Sequence, residues 1–397
     1  MKKSLTATVS WVGKVDWDLT HFHGDEYSTH KGSSYNSYVI EEGKTVLVDT
    51  VWKPFAKEFV DNLEAEGLLG KLDAIVAQHA ESDHSGAMPE LLRRRPDLPV
   101  YCTANGVKSL RGHYHQDWDF HVVKTGDELD LGNGKKLVFV EAPMLHWPDS
   151  MFSYMTGDAI LFSNDAFGQH LATEKLFNDL VDQDELYDEA IKYYANILTP
   201  FSALVKAKID FVLSLKLPLN MIATSHGVIW RDNPAQIVLK YLEWCQDYRE
   251  DRVTILYDTM WEGTRALADT FARAISDASP STTVVSHCLS KFDKNDALTD
   301  VFRSKALLLG SPTVGKGLLT AVAGTLEEIK GLRFTGKKAA AFGTYGWSGE
   351  SVGIIGSALK AAGFDVVDDG FKALWNPDDE ALKAAYEYGK AFAAKVT

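Results

Sequence analysis

The chain has 397 residues, 45% of them apolar and 24% charged, with a formal charge of −14 and no long run of Lys or Arg. That length exceeds one ordinary core and makes two domains the prior, while the acidity excludes nucleic acid and anionic membrane surfaces as natural partners. No stretch reaches the roughly 18 apolar residues of a spanning helix, and Met1-Lys-Lys-Ser opens no apolar run of signal-peptide length. Cys102, Cys245 and Cys288 lie far apart with no C-x-x-C pair. A disulfide framework, a structural zinc knot and a cysteine-ligated iron centre are therefore unsupported, and a reducing cytoplasm is the expected location.

In chain order, short β-rich runs come first: Tyr38–Ile40, Thr45–Asp49, Ala74–Gln78, Val100–Cys102, Lys136–Glu141, Ile160–Ser163 and Met221–Thr224. Helical patterns at Pro54–Glu66 and Glu185–Leu198 fall between them, which indicates an α/β layered domain. The polar stretch Gln246–Arg252 marks a boundary, so the domains are expected at 1–250 and 251–397. Beyond it the order is regular. Strands Val253–Tyr257, Thr283–His287, Ala306–Leu309, Lys338–Phe342 and a short Asp365–Val367 alternate with helices beginning near Thr264, Lys316 and Gly349. Five strands with intervening helices fit a doubly wound parallel sheet.

The densest chemistry lies in Ile75-Val-Ala-Gln-His79-Ala-Glu81-Ser-Asp83-His84-Ser-Gly86, where four potential metal ligands occupy six residues directly after an apolar strand. A loop at a strand's end can aim such side chains into one cavity, which a regular element of that spacing cannot do for all four. His146, Asp165 and His226 each follow another apolar strand, so these strands are expected to converge on one edge. His113, His115 and His121 sit in a polar segment and read as surface or packing residues. His21 and His23, and less so His170, are candidates for a proton source near the site, and Trp147 for a wall that keeps water out.

A second constellation lies downstream. Asp258-Thr259-Met260-Trp261-Glu262-Gly263-Thr264 forms a tight loop opening a helix, where backbone N–H groups and the helix dipole make a phosphate site without lysine. Ser311-Pro312-Thr313 closes the third strand, and Thr344-Tyr345-Gly346-Trp347-Ser348-Gly349 closes the fourth. Ligands in such sheets bind outside the carboxyl ends of strands at the switch point, where the three loops would meet. The glycines allow backbone to approach a flat ring, and Tyr345 or Trp347 can pack near it. With no G-x-G-x-x-G in the chain, FMN is favoured over NAD.

The first constellation resembles the metallo-β-lactamase motif H-x-H-x-D-H followed by separate His, Asp and His ligands, with Glu81 standing where the second His is usual. A carboxylate there makes the site harder and more anionic, which suits iron better than zinc. The loop at 259–264 resembles the flavodoxin phosphate loop T-x-T-G-x-T, with Trp261 and Glu262 departing from it. Together with Met144-Leu-His146-Trp-Pro-Asp-Ser150 and Gly346-Trp-Ser-Gly349, the whole chain resembles the flavodiiron proteins.

That resemblance implies an N-terminal metallo-β-lactamase-like αββα sandwich and a C-terminal flavodoxin-like doubly wound sheet. It implies two iron ions about 3.5–4 Å apart, one held by His79, Glu81 and His146 and the other by Asp83, His84 and His226. Asp165 would bridge them, and His84 is the member that a water could replace. The implied activity passes electrons from a rubredoxin or similar small donor protein through FMN to the irons, where O2 becomes water or NO becomes N2O. A head-to-tail homodimer, or a dimer of dimers, is the implied assembly. The chain reaches Thr397 without a rubredoxin-like cysteine pair, so the donor is expected from elsewhere or the chain is a core of something longer. Competing readings are a di-zinc hydrolase of the lactamase superfamily and a flavodoxin-type electron carrier with a structural metal site.

Overall fold

The computed structural model describes residues 2–396, so Met1 and Thr397, the outer ends of the two expected domains, lie outside the described residues. The chain divides into two compact units, Met1–Tyr193 with Phe201–Glu243 and Trp244–Thr397 with Tyr194–Pro200.

In the first unit, two sheets lie face to face. One has seven strands, ordered Lys3–Ser4, Val9–Trp11, Tyr38–Glu41, Thr45–Val48, Leu72–Val76, Val100–Cys102, Phe120–Val122. The other has five: Glu128–Gly132, Lys135–Glu141, Met151–Met155, Ile160–Asn164, Met221–Thr224. Side chains alternate across each strand. Val46, Val48, Ala74 and Val76 from one sheet therefore share a buried core with Leu137, Phe139, Phe162 and Ala223 from the other. Helices complete an αββα sandwich, among them Ala56–Ala65, Met88–Arg94 and Ala104–Tyr114, and Ser202–Ser214 and Ala235–Trp244. The late strands of each sheet run parallel, Thr45–Val48 with Leu72–Val76 and Ile160–Asn164 with Met221–Thr224. Their carboxyl ends accordingly open into loops on one side.

The second unit is a parallel sheet ordered Thr283–Cys288, Glu250–Tyr257, Ser304–Gly310, Lys338–Tyr345, Asp365–Val366. That order reverses direction between Glu250–Tyr257 and Ser304–Gly310, which is the switch point of a flavodoxin-like sheet. Helices Gly263–Ala278 and Asp379–Val396 pack closely. Gly389 allows this, since a Cβ there would lie 2.8 Å from the Ala274 side chain.

Several boundaries differ from the pattern in the sequence. The strand expected at Val253 begins at Glu250, because Glu250 and Asp251 are neutralised by Arg303 at 2.6 Å and Lys305 at 2.6 Å. The helix expected from Lys316 begins at Thr320, since Val314–Gly317 first closes a tight turn in which Gly315 and Lys316 have φ of 55° and 61°. The helix expected through Leu198 stops at Tyr193 and widens to π geometry over Tyr194–Leu198. Strands Met151–Met155 and Phe371–Leu374 were not apparent from the sequence: the first is buried on both faces and the second is only four residues long.

Candidate metal centre and flavin cleft

The seven side chains singled out by sequence meet at the carboxyl ends of the strands in the first unit. They fall into two groups, His79, Glu81, His146 and Asp165, and Asp83, His84 and His226, each with ligand atoms within 4.8 Å of one another. Asp165 faces both. Its Oδ2 lies 3.7 Å from His79 Nε2 and 3.5 Å from His146 Nε2, while its Oδ1 lies 3.0 Å from His84 Nε2 and 3.4 Å from His226 Nε2. Asp83 Oδ2 stands 3.0 Å from His84 Nε2 and 3.1 Å from His226 Nε2. His84 thus turns its ring into the cluster.

Local structure explains this convergence. After strand Leu72–Val76 the chain leaves the sheet, and the short helix Ser82–Ser85 places Asp83 and His84 inward. The His84 carbonyl accepts hydrogen bonds from the Thr50 N–H and hydroxyl, at 2.7 and 2.6 Å. Gly86 must be glycine, since a Cβ would fall 2.3 Å from both Lys53 N and Ser82 O. Beneath the loops, buried Asp49 accepts from Gln78 N–H at 2.8 Å and from Asn164 Nδ2 at 3.4 Å. Asn164 Nδ2 also donates to Ser225 Oγ at 3.1 Å. The residues preceding His79, Asp165 and His226 are thereby tied into one plate. Burial is the main cause that pushes the Asp49 carboxyl up to about 6, against opposing contributions from His84 and Gln78.

Two imidazoles are oriented from behind. Asp149 Oδ2 sits 3.1 Å from His79 Nδ1 and accepts from Ala80 N–H at 2.7 Å. The Ser34 carbonyl accepts from His226 Nδ1 at 2.7 Å. Each therefore turns its Nε2 toward the cluster, the usual arrangement behind metal-bound histidines.

The electrostatics show what the pocket demands. Burial opposes charge on every member, yet the pairings prevail. His79 rises to about 10 through Asp149, Glu81 and Asp165, and His226 to about 9 through Asp165 and Asp83. His84 and His146 are also raised. Despite burial, the neighbouring imidazoles hold Glu81, Asp83 and Asp165 well below the usual carboxylate range. Both oxygens of Asp83 and of Asp165 and both nitrogens of His84 are nonetheless buried without a properly directed hydrogen bond. Lone pairs converging around a small volume, with three carboxylates among them, fit hard divalent or trivalent cations that would displace those protons.

The remaining histidines sort by contact. His23 Nε2 lies 3.0 Å from Glu81 Oε1 at the rim, whereas His21 is exposed beside Thr20. His170 is fully buried, with Nδ1 2.8 Å from Ser33 Oγ and its ring 4.9 Å from that of His226. Trp147 stands edge-on to His79 at 5.1 Å, and His113 stacks on it at 6.0 Å. His121 is exposed on its strand, and His115 ends a helix in left-handed conformation.

In the second unit, the loops after the strands enclose a cleft of about 370 Å³. Met260, Trp261, Gly263, Pro312, Thr313, Thr344, Tyr345, Gly346 and Trp347 line it, all from the expected set. The others do not line it. Thr264 and Thr344 hydroxyls meet at 3.0 Å, Ser311 Oγ accepts from Leu319 N–H, Ser348 donates to Glu350, and Glu262 at φ 64° pairs with Arg265. Gly349 has φ 75°, and a Cβ there would lie 3.1 Å from the Tyr345 ring. Thr259 Oγ1 is buried without a partner beside the start of helix Gly263–Ala278, where a phosphate oxygen would complete it. Trp347 and Trp261 are 84% and 79% exposed, apolar walls of a kind a flat isoalloxazine ring can cover. Trp375 and Asn376 also line the cleft and were missed, because they follow the unrecognised strand Phe371–Leu374. Trp375 packs 6.1 Å from Trp347.

Comparison with known proteins follows the same division. Residues 34–227 match the family described as ODP family beta lactamase, and residues 255–389 match Flavodoxin. An anaerobic nitric oxide reductase flavorubredoxin of Aliivibrio fischeri is 57% identical over 97% of this chain and 78% of its own length. The protein of that name from Escherichia coli is 55% identical, over 97% and 80%. Among solved structures, the rubredoxin oxygen:oxidoreductase of Desulfovibrio gigas superposes with a TM-score of 0.96 at 32% identity, covering 100% of this chain and 98% of that one. The flavodiiron protein of Giardia intestinalis gives 0.94 at 31%, covering 100% and 97%.

Proposed function

This chain belongs to the flavodiiron protein family, and on that premise we propose that it is an oxidoreductase reducing NO to N2O, O2 to water, or both. Electrons would come from an external donor, pass through FMN bound to residues 251–397, and reach a non-haem di-iron centre in residues 1–250. The observation that carries this reading is the division of seven side chains about Asp165, whose two oxygens address separate groups of imidazoles. His79, Glu81 and His146 would hold one iron, and Asp83, His84 and His226 the other. When bound, FMN pairs single electrons, and two adjacent irons supply Lewis-acidic, redox-active sites for a diatomic.

The chain's own residues contribute position, charge and exclusion of water. Asp149 and the Ser34 carbonyl fix the tautomers of His79 and His226, so that Nε2 of each faces inward. Trp147 and Phe22 wall the pocket with apolar surface. His23, one-third exposed and 3.0 Å from Glu81, is placed to pass a proton between solvent and the rim. The balance requires such groups: two NO take up two electrons and two protons to give N2O and water, and O2 takes up four of each to give two waters. NO is put first, because relatives sharing over half of this sequence are named for it.

A rubredoxin-type protein or module would be the donor, and a head-to-tail homodimer would bring one subunit's flavin to the other's irons. No helix among the described residues is long and apolar enough to cross a membrane, and a cytoplasmic location suits three cysteines with no disulfide among them. The deciding experiment is metal and flavin analysis followed by gas consumption with chemically reduced FMN. About two irons and one flavin per chain with rapid NO or O2 loss supports the reading. Zinc in place of iron, persisting after iron-supplemented expression, would transfer the assignment to a hydrolase.

A further inference from the structure

On the outer face of the five-stranded sheet lies a cavity of about 290 Å³. Val140, Phe152 and Leu161 form its floor, and Ile209, Val212 and Val238 from two helices form its roof. The pairs Val140↔Phe152 and Tyr154↔Leu161 show that these side chains leave the sheet opposite to Phe139 and Phe162, which fill the central core. The cavity is therefore separate from that core. The Tyr154 hydroxyl, a polar group at its edge, already donates to the Pro218 carbonyl at 2.8 Å. Water needs two to four polar partners to reside stably in a cavity, and cavities lined by apolar side chains take up xenon or small hydrocarbons. Leu213, Leu215 and Leu217, each at least 42% exposed, surround the mouth, where the exposed Lys216 is the one charged lining residue among the described residues.

The end wall is Phe167, two residues beyond Asp165. Its backbone is pinned from both sides, the N–H donating to Tyr241 Oη at 2.9 Å and the carbonyl accepting from Trp230 Nε1 at 2.9 Å. The next residue, Gly168, lies against the other metal loop, where an added Cβ would sit 3.6 Å from His226 Cβ. One turn thus carries a candidate bridging ligand on one side and closes the apolar cavity on the other. We propose that this cavity is a binding site for the dissolved diatomic substrate, NO or O2, concentrating it beside the metal loops. Both gases are neutral, nearly apolar and more soluble in hydrocarbon than in water. The proposal rests on the gas-reductase reading above.

The test has two arms on protein loaded with iron and FMN. Under xenon pressure, diffraction or 129Xe NMR should find xenon among Val140, Leu161 and Phe167 in the wild type and none in Val212→Trp. The same variant should raise KM for NO several-fold, with kcat at saturating gas and iron and flavin content unchanged. Val238→Phe, which fills the cavity from the other helix, guards against a folding defect peculiar to one substitution. Absence of xenon from the wild-type cavity overturns the proposal, as does an unchanged KM in variants that exclude xenon. Displacement of xenon by micromolar decanoate would assign the cavity to acyl chains and likewise overturn it. A wild type that binds xenon yet consumes neither gas with reduced FMN would instead remove the function on which the proposal rests.

Discussion

The two candidate sites of this chain are built on opposite principles. The metal cluster is buried and tied from behind, with Asp165, Asp83, His79, His84 and His226 each at most 3% exposed. Its polar atoms face one another and are held by a plate of side chains one residue upstream of three ligands. The flavin cleft is open, and its most prominent members, Trp347, Trp261 and Trp375, are among the more exposed large side chains of the molecule. One site is specified by charge that must be neutralised, the other by shape and apolar surface waiting to be covered. A cation should therefore be integral to the first unit, whereas flavin should be exchangeable without collapse of the second.

The sharpest way to break that contrast is at Asp165. Replacement by Asn keeps the shape and removes the charge addressed to both groups. Iron content should fall to a small fraction of the wild type and gas consumption should be abolished, while the flavin spectrum stays intact. Full iron occupancy in Asp165→Asn, by elemental analysis, would rule out the bridging role.

A smaller effect is expected one bond further out. Asp149→Asn keeps an acceptor for Ala80 N–H but weakens the carboxylate behind His79. Loss of such a partner lowers metal affinity by roughly 10- to 100-fold. Competition with a chelator should show this for one iron of the two, because His226 is oriented by the Ser34 carbonyl instead. Equal loss of both irons would mean that the groups are not independent.

The flavin cleft should respond more gently. Trp347→Ala and Trp375→Ala each remove part of an apolar wall, worth about 0.5–1.5 kcal/mol for an aromatic contact, so FMN dissociation constants should rise by up to about tenfold. Flavin fluorescence titration reads this directly, and iron content should not change. If either variant also lost iron, the separation of the two sites would fail.

How much of this was legible beforehand follows from the same contrast. The metal cluster was readable because four potential ligands crowd into six residues at a strand's end, and because His146, Asp165 and His226 each repeat that placement. Glu81 in an imidazole's usual position was a chemical departure visible in one letter. Asp149 stood in the recognised segment 144–150, but a carboxylate three residues after a ligand has no spacing rule that assigns it an orienting role. Asp49 lies thirty residues from His79, and only the parallel pairing of Thr45–Val48 with Leu72–Val76 brings it beneath the loops. Trp375 was lost with its strand: Phe371–Leu374 has only Ala373 buried, so it shows no clear apolar alternation. The cavity behind Phe167 leaves no trace in sequence, because outward-facing apolar residues of a covered sheet look the same whether or not the helix above them packs fully.

The gentlest test concerns how each unit buries a charge. In the metal unit, ionised side chains are matched by opposite charge. In the flavin unit, Lys337 is 6% exposed and its Nζ donates to the carbonyls of Tyr248, Phe302 and Ser304 at 2.6–2.8 Å. Dipoles replace a counter-ion. Burial, aided by Arg249, lowers Lys337 to about 7 from its usual 10.5. Between those values the unfolded chain keeps a proton that the folded chain has released, so Lys337 makes stability rise with pH from about 7 to about 10.5. Lys337→Met removes that dependence and leaves three carbonyls without their donor, at a cost of about 1–3 kcal/mol. Denaturant unfolding of iron- and FMN-loaded protein at several pH values should show the wild type's advantage over the variant widening as pH rises. A constant advantage would mean that the three carbonyls alone keep the ammonium charged, and that dipoles in this unit do the work a carboxylate does in the other.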